Sequence, residues 1–236
     1  MTTGAPGRPG LSFESLLGDG WLPLLVARHG RTTANAERRM VGRLDVPLDD
    51  LGRAQARALG RRLAGVPFQA ACSSPLARAR ETLDLVLDEA DLDLPIRIVA
   101  DLAEWDQGVL EGRLERDLAT GPFAAMREAW KQDPASIEIP GAEPLSGCQA
   151  RVLAALESIV RMHGPPRPVL VVGHQVALAS ALCGLVGRPL SDLRSWIASN
   201  AALHVLGWRE GTWRVVVFND TEHLATLDGS VRPGAA

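Results

Sequence analysis

Arg28-His29-Gly30 closes a short apolar run, Leu22–Ala27. An arginine offers a planar, permanently charged fork that matches phosphoryl oxygens, and a histidine offers a nucleophilic ring nitrogen. A second histidine, His174, follows another apolar run, Val169–Val172. Between them lie Cys72-Ser73-Ser74-Pro75, with Arg78 and Arg80 just beyond, and Leu102-Ala103-Glu104. Two histidines, two arginines and a carboxylate form a phosphoryl-transfer constellation if the fold brings them to one rim. Asp101, Asp106 and Glu111 compete with Glu104 for the carboxylate position, and Arg80 competes with Arg78.

The elements that must position these residues follow from hydrophobic periodicity. Leu22–Ala27, Phe68–Ser73, Ile96–Val99 and Val169–Val172 read as short strands, the first and last apolar enough to be buried on both faces. Gly52–Gly65 carries Ala54, Ala58, Leu59 and Leu63 at helical spacing among arginines. Helices are also expected from Leu76 to about Glu89, over Phe123–Lys131, over Leu145–His163 and over Val176–Val186, with a short one over Phe13–Leu17. Ala202–Trp208 and Trp213–Phe218, joined through Glu210-Gly211, predict a hairpin. Strands alternating with helices and ending in a hairpin predict a three-layer α/β/α sandwich, its mostly parallel sheet bearing an antiparallel edge. Residues just past the carboxyl ends of such strands meet in the ligand crevice.

One domain over 21–228 accounts for the 236 residues, with a short cap insertion over about 112–144 where glycines and prolines break the pattern. Residues 1–20 read as a flexible extension and 229–236 as a flexible tail. The formal net charge of -3, without a basic stripe, argues against nucleic-acid or membrane-surface partners. Cys72, Cys148 and Cys183 are scattered and odd in number, so neither a disulfide framework nor a zinc site is expected. No signal-peptide core or membrane-length apolar run is seen, and a reduced, cytoplasmic protein is the expectation. A hairpin-edged sheet offers a route to a homodimer.

The spaced motifs together resemble the histidine phosphatase superfamily, which includes the cofactor-dependent phosphoglycerate mutases. The matching pieces are Arg28-His29-Gly30 with Asn35, the run from Gly42 through Asp45-Val46-Pro47-Leu48 to Gln55-Ala56, and Ser73-Ser74-Pro75-Leu76-Ala77-Arg78-Ala79. Leu102-Ala103-Glu104 with Gly108 and Glu111-Gly112, then Val172-Gly173-His174, complete a likeness running from Leu22 to Asp220. It implies a phosphoglycerate mutase-like fold and a phosphohistidine formed on His29. Arg28 and Arg78 would bind the transferring oxygens, with Asn35 and Thr32 as neutral donors unless they only cap the next helix. His174 would stabilise the developing charge, and Glu104 would protonate the leaving alkoxide and then activate water. No metal or cofactor is implied, because the arginines supply the charge that Mg²⁺ supplies elsewhere. Gln175, Trp105 and Gly42 are candidate substrate contacts.

Departures from the family pattern favour the phosphatase branch acting on a small phosphorylated metabolite. The insertion is short, and Glu115 falls about where a mutase lysine is expected, a charge that would repel phosphoglycerate. A 2,3-bisphosphoglycerate-dependent mutase and an inactive phosphoester-binding module remain the alternatives. Arg31 stands where Glu or Gln is common and adds positive charge at the mouth, while Gln175 stands where glycine is usual. His163, His204 and His223 match nothing and are expected on the surface or in packing.

Overall fold

The computed structural model describes residues 16–227. The expected tail, and the extension up to residue 15 with most of the Phe13–Leu17 turn, lie outside the described residues. At its described end the extension differs from expectation: Leu17 is buried and sits against Gly207, so packing begins ahead of residue 21.

Six strands form one sheet: β1 (Leu22–Arg28), β2 (Ala70–Ser73), β3 (Ile96–Ile98), β4 (Val169–Gly173), β5 (Leu203–Arg209) and β6 (Thr212–Asp220). Their spatial order is β3-β2-β4-β1-β5-β6. The strands from β3 to β1 run parallel, β5 alone is reversed against β1, and β6 turns back to form the edge. The antiparallel part is therefore the expected hairpin, with the reversed strand one place in from the edge.

Helices α1 (Thr33–Glu37), α2 (Asp50–Leu63), α3 (Ala77–Glu89), α4 (Ala124–Gln132), α5 (Leu145–Met162) and α6 (Gln175–Leu185) complete the fold. Alternation along the central strands separates two cores. Leu22, Leu24, Val26, Val169 and Val171 pack with Val152, Leu156 and Ile159 of α5 and with α6. Leu25, Ala27, Leu170 and Val172 pack with Leu59, Leu63, Leu83 and Val86 of α2 and α3. Each fully buried leucine or valine contributes about 1.5–3 kcal/mol. Helix α6 is buried nearly all round, as its continuous apolar sequence requires. No single helix among the described residues is long and apolar enough to cross a membrane.

Register decides what meets at the rim. Arg28 pairs with Gly173 and Ser73 with Val172, so β1, β4 and β2 end level. The backbone N–H of His29 then donates to Gly173 O at 3.0 Å, and that of Ser74 to Val172 O at 3.0 Å.

Candidate active site

His29 and His174 meet across adjacent strands with ring centroids 5.1 Å apart. His29 Nδ1 lies 2.7 Å from Gly30 O. A carbonyl can only accept, so Nδ1 carries the proton and Nε2 keeps its lone pair. Arg78 Nε donates to that Nε2 at 3.3 Å. Burial, reinforced by the charges of Arg78 and Arg28, holds the His29 pKa well below the usual imidazole value. The ring is therefore a neutral nucleophile with its lone pair aimed at a guanidinium, the place a phosphoryl group would take. The loop is pinned from below: Gly30 N–H donates to Thr82 Oγ1 at 3.0 Å, and that hydroxyl donates to Arg78 O at 2.7 Å.

Arg78, in the first turn of α3, is oriented by the loop before α2. Its terminal nitrogens donate to Leu44 O and Gly42 O, each at 2.8 Å. Gly42 makes that contact possible: its φ is +51°, and a Cβ there would collide with the Glu111 carboxylate. Arg28 donates to Ala198 O at 2.6 Å. Burial, with Arg78 beside it and Glu104 opposing, lowers its pKa to about 10, so it stays charged at neutral pH.

Glu104 is the carboxylate the fold selects. Its Oε1 accepts from Trp105 N and Ala177 N at 2.8 Å each, and its Oε2 from Val176 N at 3.1 Å. It thus rests on the N-terminal turn of α6, where unpaired N–H groups point outward. Glu104 lines the cavity, whereas Asp101, Asp106 and Glu111 do not. Glu111 is occupied by the backbone of Arg43 and Gln107.

These groups floor a cavity of about 580 Å³ lined also by Asn35, Gly42, Trp105 and Gln175. Asn35 Oδ1 accepts from Thr32 and from Asn200, leaving its amide nitrogen as the group able to donate. Gln175 Nε2 reaches Ala198 O at 3.4 Å. Trp105 donates its indole N–H to Glu143 O at 2.7 Å and stacks on Trp130 at 5.4 Å.

Two candidates differ from expectation. Thr32 does not line the cavity: fully buried, its hydroxyl accepts from Asn35 N and forms a capping box on α1. His174 stands behind the wall, with Nε2 2.6 Å from Ser74 Oγ and a buried Nδ1 that has no partner. Burial and the neighbouring Arg78 keep its pKa well below the usual value. Arg28 Nε, His174 Nδ1 and Gln107 Oε1 are buried polar atoms without partners, and all three belong to this region. Such orphans call for a ligand rich in hydrogen-bonding atoms.

Asn200, Gln107 and Gln55 also line the cavity and were not expected there. Asn200 donates to His29 O at 3.2 Å from a loop with no periodic signal. Ser74 lay inside a motif already quoted, but nothing in its local spacing marked it as the partner of His174. Two charges at the mouth are quenched rather than free. Arg31 pairs with Asp49 at 2.8 Å, and Glu115 pairs with Arg38 at 2.8 Å and Arg127 at 3.8 Å. The expected repulsion by Glu115 therefore disappears. Farther round, Arg39 meets Glu37 at 2.8 Å and Lys131 meets Glu128 at 3.3 Å. Of the other histidines, His204 is buried against Phe218, and His223 approaches Ala201 O.

Comparison with known proteins identifies the family. The family model for the histidine phosphatase superfamily (branch 1) matches residues 24–221. The chain is 31% identical over 208 residues to the "Probable phosphoglycerate mutase GpmB" of Salmonella choleraesuis, covering 86% of this chain and 95% of that one. Among solved structures it superposes on YhfR of Bacillus stearothermophilus with a TM-score of 0.80 and 31% identity, over 86% of this chain and 99% of that one. It superposes on mycobacterial glucosyl-3-phosphoglycerate phosphatase with a TM-score of 0.75 and 27% identity, over 85% and 100% of the two chains. This chain belongs to the histidine phosphatase superfamily, and its fold is phosphoglycerate mutase-like.

Proposed function

We propose that this protein is a phosphomonoesterase working through a phosphohistidine. The carrying observation is the proton placement on His29: Nδ1–H is spent on Gly30 O, and Nε2 faces Arg78 with its lone pair. In this reading Nε2 attacks phosphorus, the P–O bond to the alcohol breaks, and Glu104 in its acid form gives the leaving oxygen its proton. Water then attacks the phosphohistidine while Glu104 takes a proton back, releasing phosphate and restoring His29. Arg28 and Arg78 hold the equatorial oxygens, and His174, whose buried Nδ1 has no partner, supplies charge stabilisation from behind the attacking ring.

Hydrolysis is favoured over mutase chemistry because the cavity-lining cations outside the phosphate floor, Arg31, Arg38, Arg39, Arg127 and Lys131, each pair with a carboxylate, which leaves none of them uncommitted for the carboxylate of a phosphoglycerate. Incubation with a ³²P-labelled monoester and acid-stable against acid-labile analysis tests the intermediate. Wild type should trap acid-labile label on His29, and His29→Ala should lose it together with at least ~10³-fold of the phosphate release. Wild-type rates in His29→Ala would falsify the mechanism. Rapid isomerisation of 3-phosphoglycerate primed by 2,3-bisphosphoglycerate, without phosphate release from other esters, would replace it with the mutase reading.

A further inference from the structure

Beyond the phosphate floor, the cavity changes character. Trp105, Leu110, Phe123, Met126, Trp130 and Ile139 form its wall. Phe123, Met126 and Trp130 fall three and four residues apart, so they share one face of the α4 segment. Helix α4 has no fully buried residue, yet Met126 and Trp130 are half-buried and pack at the edge of the main core. That apolar helix face is thus only partly covered by protein. It overlooks the cavity.

Trp130 lies nearly parallel to Trp105, at 13°. Trp105 follows Glu104 directly and is locked by its indole hydrogen bond to Glu143 O. Trp105 is 2% exposed and backs the half-buried Trp130, so a rigid aromatic wall begins one residue from the group that would protonate the leaving oxygen. The volume, about 580 Å³, sits within the range of roughly 300–1,000 Å³ typical of sites that enclose ligands of many atoms. A three-carbon phosphoglycerate would leave most of it unfilled. The five cations nearer the mouth, Arg31, Arg38, Arg39, Arg127 and Lys131, each face a carboxylate. A second anionic group on the substrate would lose its hydration here without gaining an uncommitted partner.

We infer that the substrates are monophosphate esters of uncharged alcohols carrying a bulky apolar, ring-containing group, which rests on the Trp105–Trp130 surface beneath α4. The inference deepens the phosphomonoesterase reading and rests on it for turnover, but not for binding. Alcohol basicity is held constant by using primary alkyl esters: 2-(1-naphthyl)ethyl phosphate, ethyl phosphate and glycerol 1-phosphate, with 3-phosphoglycerate as the dianionic-plus-carboxylate comparison. The naphthylethyl ester should show a kcat/KM roughly tenfold to a hundredfold above the others. In Trp130→Ala, and independently in Met126→Ala, the ratio of naphthylethyl to ethyl ester should fall at least about fivefold.

Binding is measured in parallel with 2-(1-naphthyl)ethyl phosphonate and ethyl phosphonate on His29→Ala, by calorimetry. If no ester is hydrolysed but the naphthyl phosphonate binds more tightly and Trp130→Ala removes that preference, the hydrolase reading fails and the ligand class stands. Equal or better use of 3-phosphoglycerate or glycerol 1-phosphate overturns the inference. So does an unchanged ester ratio in both variants, or phosphonate binding that ignores the naphthyl group.

Discussion

Arg78 has three of its N–H groups engaged at fixed positions: one on His29 Nε2 and two on the carbonyls of Leu44 and Gly42. Its two remaining N–H groups are left for phosphoryl oxygens. A lysine has the charge but not the planar fork, and it cannot hold the loop carbonyls and the histidine together. Arg78→Lys should therefore lower kcat/KM for p-nitrophenyl phosphate by about 10²–10³-fold, the scale on which removing one preorganised donor acts. Steady-state kinetics within threefold of wild type would show that charge alone suffices. Arg28 is less fully anchored, with one hydrogen bond to Ala198 O and a buried Nε still free. The two arginines differ in job: Arg78 orders the nucleophile and its loop, and Arg28 adds buried charge.

At the scale of elements, the segment from β3 to the cap has little regular structure and needs a brace to hold Glu104. Arg151 on α5 is that brace. It donates to Asp101 O at 2.8 Å, Ala103 O at 2.7 Å and Glu104 O at 3.0 Å, and pairs with Glu143 at 2.7 Å. Glu143 O in turn accepts the Trp105 indole. Arg151→Met should disturb the carboxylate's placement without touching His29 or the arginines of the floor. Hydrolysis of an alkyl ester, whose leaving oxygen needs a proton, should drop by about 10–100-fold, while p-nitrophenyl phosphate should change far less. Equal losses on both esters would mean that Arg151 serves stability alone. The α2 N-terminus shows a second kind of constraint: a Cβ on Gly52 would collide with Arg31 O, so only glycine lets α2 approach the His29 loop.

The molecule as a whole buries neutral imidazoles. His29, His174 and His204 are held below the usual pKa chiefly by desolvation, His204 at about 4. The unfolded chain takes up protons at these positions below about pH 6.5 and the folded one does not. Stability is therefore fully present above that pH and is lost as pH falls, by up to about 1.4 kcal/mol per unit for each such group until its folded pKa is reached. The thermal midpoint should fall steeply from pH 7 to pH 5 in calorimetric scans. A flat profile over that window would contradict neutral burial. For the same reason the acid limb of the rate profile should lie below pH 6.5, since His29 keeps its lone pair there.

Local sequence determined a good deal about this protein. Apolar runs of four to seven residues, bounded by glycine, proline and polar residues, located the strands, and i, i+3, i+4 spacing located the helices, because burial enforces those periods whatever the partner. The order of Arg28-His29-Gly30, Arg78, Glu104 and His174 was enough to name the family and most of the floor. Tertiary structure alone decided the rest. Thr32 looked like a phosphate donor and proved to be a cap, since a hydroxyl beside a helix start is closest to that helix's own N–H groups. Asn200, from a loop far along the chain, reached the back of His29. Glu115, read as a repelling charge, was neutralised by Arg38 and Arg127. Charge pairing and cavity shape depend on contacts between residues distant in the chain. No local pattern records which carboxylate a given arginine will meet, or that Trp105 and Trp130 will stack on one another in the wall of a cavity.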